Sequence, residues 1–194
     1  MRNIYLFLSL SLDGYFEGPG HDISWHNIDD EINRFALEQL RATDLMLFGR
    51  RVYQLMEEAW PRIARDPTAS KDNLEIARLM NGTPKIVFSR TLPNVVETEE
   101  WRNVRLVRSL DPDEIRRLKE ERGKDITVGG SDLALSFLKE GLIDELRFMV
   151  TPTVIGAGTR IFQGMHGRLK LELIDTRRFD SGNVLLRYRP KSDR

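Results

Sequence analysis

Three places in the sequence put residues suited to holding phosphate where a strand hands over to a helix or turn. They are Gly49-Arg50-Arg51, Ser89-Arg90-Thr91 and Gly129-Gly130-Ser131-Asp132. A helix start offers unpaired N–H groups and a partial positive charge, both of which favour an anion. Glycine lets a phosphate approach the backbone with no Cβ in the way, and arginine brings donors matched to phosphate oxygens. Taken singly, each signal has a plainer reading: Gly-Gly after a strand also makes a tight turn, and Gly-Arg-Arg also starts an ordinary solvated helix. The GxGxxG fingerprint is absent, so a Rossmann reading does not follow. In an open parallel sheet, ligands sit beyond the carboxyl ends of the strands, and three such ends together could grip a dinucleotide.

A second group of candidates lies in "DISWHNIDDEINRF", residues 22–35. Asp29, Asp30 and Glu31 fall in the first turn of a helix, where acidic residues compensate the dipole. Glu31 differs from its neighbours. It stands four residues before Phe35, on the flank of the Ile28, Ile32, Phe35 stripe. A carboxylate beside an aromatic at the rim of a buried face could bind the amidine-like edge of a heterocycle. Trp25, just ahead of the helix, could wall the same pocket or simply fill core.

The elements that must position these residues follow from periodicity. Residues 4–12 read as a largely buried strand, and 13–25, rich in glycine and with a proline, as a long loop. Long loops in folded domains often carry function. A helix fits 28–42, with Asn27 able to cap it. A strand at 44–49 leads into a helix over 50–60, followed by an irregular stretch to 70, a helix at 71–80 and a strand at 84–89. A short strand follows at 104–107. Residues 111–123 are a marked helix, with Asp111 as N-cap, Pro112 at the first position, Glu114 at N3 and Gly123 past the end. "DITVGG" (125–130) is the next strand, and the next helix opens at Ser131. After Gly141 the pattern changes to strands at 142–155, 169–179 and 183–189, the last two joined by a hairpin turn at 180–183. Alternating strands and helices, then antiparallel strands, predict a single α/β domain spanning 1–194. Its sheet is mixed, mostly parallel, of about eight strands with flanking helices and an antiparallel C-terminal edge.

Composition narrows the function classes. The 194 residues carry 30 basic and 30 acidic side chains, so no net charge marks a nucleic acid or anionic membrane partner. The basic C-terminal stretch (Arg177, Arg178, Arg187, Arg189, Lys191, Arg194) reads as a solvated strand face. With no cysteine there is no disulfide, zinc knuckle or thiol nucleophile, and the three histidines form no metal-ligand pattern. No metal is expected. No apolar run of about 18 residues is present. The N-terminus lacks the cationic start and small-residue cleavage site of a signal peptide. The reading is a cytoplasmic protein.

The order of these pieces resembles the dihydrofolate reductase-like superfamily, most closely the reductase domain at the C-terminus of the bifunctional riboflavin-biosynthesis deaminase/reductase. The resemblance rests on "SLSLDGYFEG" (9–18), "LMLFGRRVYQLM" (45–56), "KIVFSRTL" (85–92) and above all "VGGSDLALSFLKEGLIDELRFMVTPTVIGAGTRIF" (128–162). It implies NADPH as hydride donor to a pyrimidine- or pterin-like substrate, in the manner of 5-amino-6-(5-phosphoribosylamino)uracil reductase. Dihydrofolate reduction is the alternative within the superfamily. The alternative of another class is a catalytically silent dinucleotide-binding or structural module that has kept the fold and lost turnover.

Position by position, the resemblance implies that Gly49, Arg50 and Arg51 meet cofactor phosphates and that Ser89 and Arg90 lie near the adenosine 2′-phosphate. It also implies that Gly129, Gly130, Ser131 and Asp132 hold the pyrophosphate, joined by a cis Gly129–Gly130 peptide. Ser9 and Ser11 border the nicotinamide, Thr159 lies beside the ribose, and the 13–25 loop is a lid. The folate-type acid falls on Glu31 or Asp30: Glu31 keeps the spacing to Phe35, and Asp30 keeps the spacing to Trp25. The helical-face argument favours Glu31. The zinc deaminase half is missing from this sequence. Domains of this type pair through their C-terminal strands, so a homodimer is expected.

Overall fold

Apolar runs that the sequence leaves almost uninterrupted become the middle of one sheet. The computed structural model describes residues 1–191, and Arg194 lies outside them. Its central strands are β1 (Ile4–Ser11), β3 (Thr43–Gly49), β4 (Lys85–Phe88), β5 (Val104–Val107), β6 (Asp125–Gly129) and β7 (Glu145–Thr151). The short β2 (Tyr15–Glu17) and β8 (Thr159–Arg160) form a separate ribbon, and β9 (Leu171–Arg178) and β10 (Val184–Pro190) close the chain. The eight-stranded sheet runs β5-β4-β3-β6-β1-β7-β10-β9. The first six strands are parallel, and β10 and β9 add antiparallel pairings at one edge. This is the mixed α/β sheet that the strand pattern predicts.

The central strands are mostly apolar because both faces are covered, with Lys85, Glu145 and Arg147 as buried charged exceptions. Along β3, Leu45 and Leu47 join one core with Ile4, Leu6, Ile126 and Val128, backed by Ile115, Leu133 and Phe137. Met46 and Phe48 point the other way, to Leu37, Tyr53, Ile76 and Trp101. A third cluster, Phe35, Met149, Phe179 and Leu185, lies under α1 (Asp30–Arg41) toward the antiparallel edge. Each fully buried aliphatic or aromatic side chain contributes about 1.5–3 kcal/mol. Among the described residues, no helix is long and apolar enough to cross a membrane.

The helix starts divide into two kinds. Asp29 caps α1 by accepting from the Ile32 N–H at 2.8 Å, which corrects the expectation that Asn27 does so. Asn27 instead ties the loop to the β9–β10 turn, donating to Ser181 O and accepting from Asn183 Nδ2. Ser70 caps α3 (Lys71–Gly82), and Asp111 caps α4 (Pro112–Glu120) through the Asp113 and Glu114 N–H groups. By contrast, α2 (Arg50–Ala64) and α5 (Ser131–Lys139) follow Gly49 and Gly130 and have no side-chain cap. Helix α2 also runs a turn past Trp60, through Pro61, into a stretch expected to be irregular.

Gly123 corrects another expectation. Helix α4 ends at Glu120, and the glycine serves a close approach: a Cβ there would stand 2.7 Å from Asp44 Oδ2 and 2.9 Å from Arg2 Nε.

Candidate active site

The two uncapped helix starts face the same space. A cavity of about 810 Å³ opens beyond the carboxyl ends of β3, β4 and β6 and is lined by Gly49, Arg50, Arg51, Arg90, Gly130, Ser131 and Asp132. Glu17, His21 and Ile23 from the 13–25 segment and Leu55 of α2 complete its walls. Backbone N–H groups of two helices, three guanidiniums and a glycine-lined floor are groups that could hold an anion with more than one phosphate. A second cleft of similar size, about 840 Å³, lies at the opposite end of the sheet among Arg2, Asp44, Lys85, Arg105 and Glu114. Its charges are engaged within the protein, Arg2 with Asp44, Arg105 with Glu114 and Lys85 Nζ with the carbonyls of Asn81, Thr83 and Arg102, and it lies at the wrong ends of parallel strands for a ligand site.

The glycines at the two junctions are there for different reasons. A Cβ on Gly129 would stand 2.8 Å from Phe48 Cδ1, and Gly130 has φ +107° with Val52 Cγ2 3.3 Å away. Both are required by the fold itself. Gly49 has φ −73° and ψ 161°, open to any residue, and the nearest atom to its Cβ position is Leu133 Cβ at 3.9 Å. Nothing in the protein demands a glycine there, while the cavity leaves its backbone bare. The Gly129–Gly130 peptide is trans, which corrects the expected cis linkage: no cis peptide occurs among the described residues. The positive φ of Gly130 makes the turn from β6 into α5 without it.

Around the cavity, Arg50 Nη1 donates to Thr91 Oγ1 at 2.9 Å, bridging the starts of two segments. Ser89 is buried, and its Oγ accepts from the Leu92 and Thr91 N–H groups, so this hydroxyl holds the turn after β4 and does not line the cavity. Arg90, next to it, is exposed and does line it.

The end of β1 is organised by a residue the sequence reading passed over. Ser11 Oγ donates to Asp13 Oδ1 at 2.7 Å and accepts from the Tyr15 N–H. Asp13 in turn accepts from the N–H groups of Ile155 and Gly156. The Ser11 hydroxyl and these two amides hold the Asp13 carboxyl below the usual carboxylate range. Thus Ser11 is a buried post that anchors the start of the 13–25 segment, a strap along the cavity wall; Ser9 is half-buried two residues earlier on the same strand.

The strap is pinned again along β2. Thr159 Oγ1 donates to Glu17 Oε1 at 2.8 Å, and Arg160 stacks on Tyr15, 4.6 Å from the ring centre. Gly158 passes so close that a Cβ would meet Glu17 O at 2.0 Å. Glu17, His21 and Asp13 were missed because nothing in their sequence spacing marks them. Their only signal was the length of the 13–25 segment.

The other predicted group is not brought to this cavity. Phe35 is buried in core, with ring centres 5.8 Å from Phe7 and 5.5 Å from Phe179, which corrects its expected place on a substrate wall. Both oxygens of Glu31 are engaged: Oε2 accepts from the Asp180 N–H at 3.0 Å, and Oε1 faces Arg177 at 3.4 Å. Asp30 is exposed on the first turn of α1. Trp25 donates from Nε1 to Asp22 O and meets His26 edge-on at 4.5 Å. None of these four lines the cavity.

The sheet order and the antiparallel edge make a dihydrofolate reductase-like fold. The dihydrofolate reductase of Enterococcus faecalis, solved as a complex with NADP(H), superposes with a TM-score of 0.61 at 12% identity, covering 98% of this chain and 97% of that one. The deaminase/5-amino-6-(5-phosphoribosylamino)uracil reductase of Thermotoga maritima superposes with a TM-score of 0.67 at 18% identity, covering 98% of this chain and 57% of that one. Residues 2–185 match the RibD C-terminal domain, and the chain belongs to that family. It is 32% identical over 188 residues to the uncharacterized protein YyaP of Bacillus subtilis, covering 96% of this chain and 94% of the relative.

Proposed function

We propose that this chain is an NADPH-dependent reductase acting on a pyrimidine-like heterocycle. One observation carries the reading: α2 and α5 are the two α-helices with no side-chain cap, and both start on the same cavity, beside Arg50, Arg51 and Arg90. The residues present fit the dinucleotide. The N–H groups following Gly130 would hold its pyrophosphate, the bare backbone at Gly49 admits a phosphate without a Cβ in the way, and the three arginines would read the remaining charge. When bound, the cofactor supplies the hydride; the protein supplies orientation and exclusion of water.

The strap serves those last two tasks. Asp13 fixes it to the 155–156 segment, Glu17 fixes it to Thr159, and Ile23 and Leu55 give the cavity mouth an apolar rim. Ser9 and Ser11, at the carboxyl end of β1, and Thr159 do not themselves line the cavity; Ser11 acts on it through Asp13, and Thr159 through Glu17. A second copy of the chain is proposed along β9, an edge strand that exposes Leu173 and Ile174. The test of the function is loss of NADPH absorbance with the purified protein. Oxidation by the ribosylaminouracil and not by dihydrofolate supports the reading; oxidation by dihydrofolate alone replaces it with the folate reaction. NADPH bound without oxidation by either overturns the reductase assignment.

A further inference from the structure

The cavity that gathers three guanidiniums is also lined by two carboxylates, and the two differ. Asp132 is exposed in the first turn of α5, where an acidic side chain compensates the helix dipole. Glu17 has no helix start to compensate. It stands on β2 with its side chain 14% exposed, and a carboxylate withdrawn that far from water needs partners. Among the described residues it pairs with none of Arg50, Arg51 and Arg90. Its Oε1 accepts from Thr159 Oγ1 at 2.8 Å, and its Oε2 lies 2.9 Å from His21 Nδ1.

Glu17 is held in this position from several sides. It is paired with Thr159 across β2 and β8, and Gly158 passes against its carbonyl oxygen with no room for a Cβ. The turn that brings His21 back to it carries consecutive positive φ values, 70° at Gly20 and 67° at His21. An ionised carboxylate offers about four acceptor sites and no donor. Thr159 and His21 engage one on each oxygen, which leaves each oxygen with acceptor capacity for the cavity. A phosphate dianion has no use for it, because it too is negative and accepts only. Two adjacent hydroxyls suit it well. The cavity is thereby divided: phosphate belongs with the arginines and the bare helix starts, and a hydroxyl-bearing part of the ligand belongs at the strap.

We infer that Glu17 binds the vicinal hydroxyls of a ribose and so sets the direction in which the dinucleotide lies in the cavity. The inference deepens the dinucleotide reading and rests on it. NADPH contains two riboses. One carries the 2′-phosphate, which a carboxylate repels; the other, next to the nicotinamide, keeps both hydroxyls free. Glu17 therefore takes the nicotinamide ribose, and the 2′-phosphate is left to the arginines. Thr159 contributes by holding Glu17 Oε1. An acidic side chain on ribose hydroxyls is the device that other dinucleotide sites use at a strand end.

Glu17→Gln tests this, because it keeps the length of the side chain and an oxygen for Thr159 while giving up the charge. The wild type and the variant are titrated calorimetrically with NADP+, adenosine 2′-monophosphate and inorganic pyrophosphate, with a melting curve on each preparation. NADP+ should bind the variant about tenfold or more weakly. The two probes that lack a nicotinamide ribose should bind it as well as before or more tightly, since a negative charge has left the cavity. Weakening of all three by one factor would mean that Glu17 only shapes the strap, and overturns the inference. Unchanged NADP+ affinity overturns it as well and leaves the dinucleotide reading standing. A wild type that binds pyrophosphate and not NADP+ overturns the dinucleotide reading and the inference with it. If Glu17→Gln does not fold, Glu17→Asp, which draws the carboxylate back by one methylene, takes its place: NADP+ should again weaken and pyrophosphate should not, and any other pattern overturns the assignment.

Discussion

Replacing Gly49 by alanine separates what the fold needs from what a ligand needs. The backbone at Gly49 is extended and its Cβ position is open, with the nearest atom 3.9 Å away. Losing glycine freedom in the unfolded chain stabilises by about 0.4–1 kcal/mol. Alanine is a poorer N-cap than glycine, and this costs about 0.5–1 kcal/mol. The two effects offset, so thermal unfolding should shift by no more than about 3 °C for a chain of this size. Dinucleotide binding should respond differently. The added methyl lies where a phosphate would approach the first N–H groups of α2, and a charge-assisted hydrogen bond contributes about 1.5–3 kcal/mol. Loss of one such bond weakens NADPH about tenfold or more, since 1.4 kcal/mol is tenfold. Calorimetric titration and a melting curve on the same preparation give both readouts. Gly130→Ala is the control with the opposite expectation: φ +107° and Val52 at 3.3 Å should lower stability by more than about 1 kcal/mol. Unchanged NADPH affinity in Gly49→Ala, with the fold intact, refutes the claim that a phosphate sits at the start of α2.

Other outcomes follow from charges and edges elsewhere in the fold. Glu145 is buried on β7 and accepts from Arg147 and Arg187, which keep Asp125 and Asp175 as further partners, so Glu145→Gln should cost about 1–3 kcal/mol, read as a drop in melting temperature. Burial alone would raise the Glu145 pKa, but the two guanidiniums outweigh it and hold it low. Its stabilisation is therefore present above the unfolded pKa and lost as pH falls through the lower folded value, so the wild type should show an acid-side loss of stability that the variant lacks. Glu31→Gln should lower the melting temperature by loosening α1 from the β9–β10 turn while leaving NADPH affinity unchanged. Abolished turnover with unchanged stability would instead make Glu31 the substrate acid. Leu173→Lys on the exposed edge should convert a dimer to a monomer by light scattering with little change in melting; a wild-type monomer removes that proposal.

The sheet was legible because its physics is one-dimensional. Residues 44–49 and 84–89 are apolar on both faces, and the turn at 180–183 carries glycine, so strand identity and the antiparallel edge could be read from periodicity and punctuation. The phosphate-side candidates were legible for a related reason: Gly49, Arg50, Arg51 and Gly130 are adjacent in sequence to strand ends, and strand ends of a parallel sheet meet. Glu31 and Phe35 show where that reasoning stops. Their helical spacing was read correctly, but which side of the sheet edge α1 faces depends on Arg177, Phe179 and Asp180, about 150 residues away in the chain. Likewise Ser89 reads as a ligand hydroxyl until the Leu92 N–H takes it, and the Glu17, His21, Arg51 chain exists only because a strained turn folds the strap over α2.

The central claim is that the cavity between α2 and α5 holds a phosphorylated dinucleotide. The most direct measurement is calorimetric titration of NADPH and NADH into the wild type and into a triple Arg50→Ala, Arg51→Ala, Arg90→Ala variant. The account predicts saturable binding of NADPH to the wild type, about one per chain, with the variant losing far more affinity for NADPH than for NADH. Absence of NADPH binding to the wild type at near-millimolar cofactor, which corresponds to less than about 4 kcal/mol of binding free energy, would contradict it.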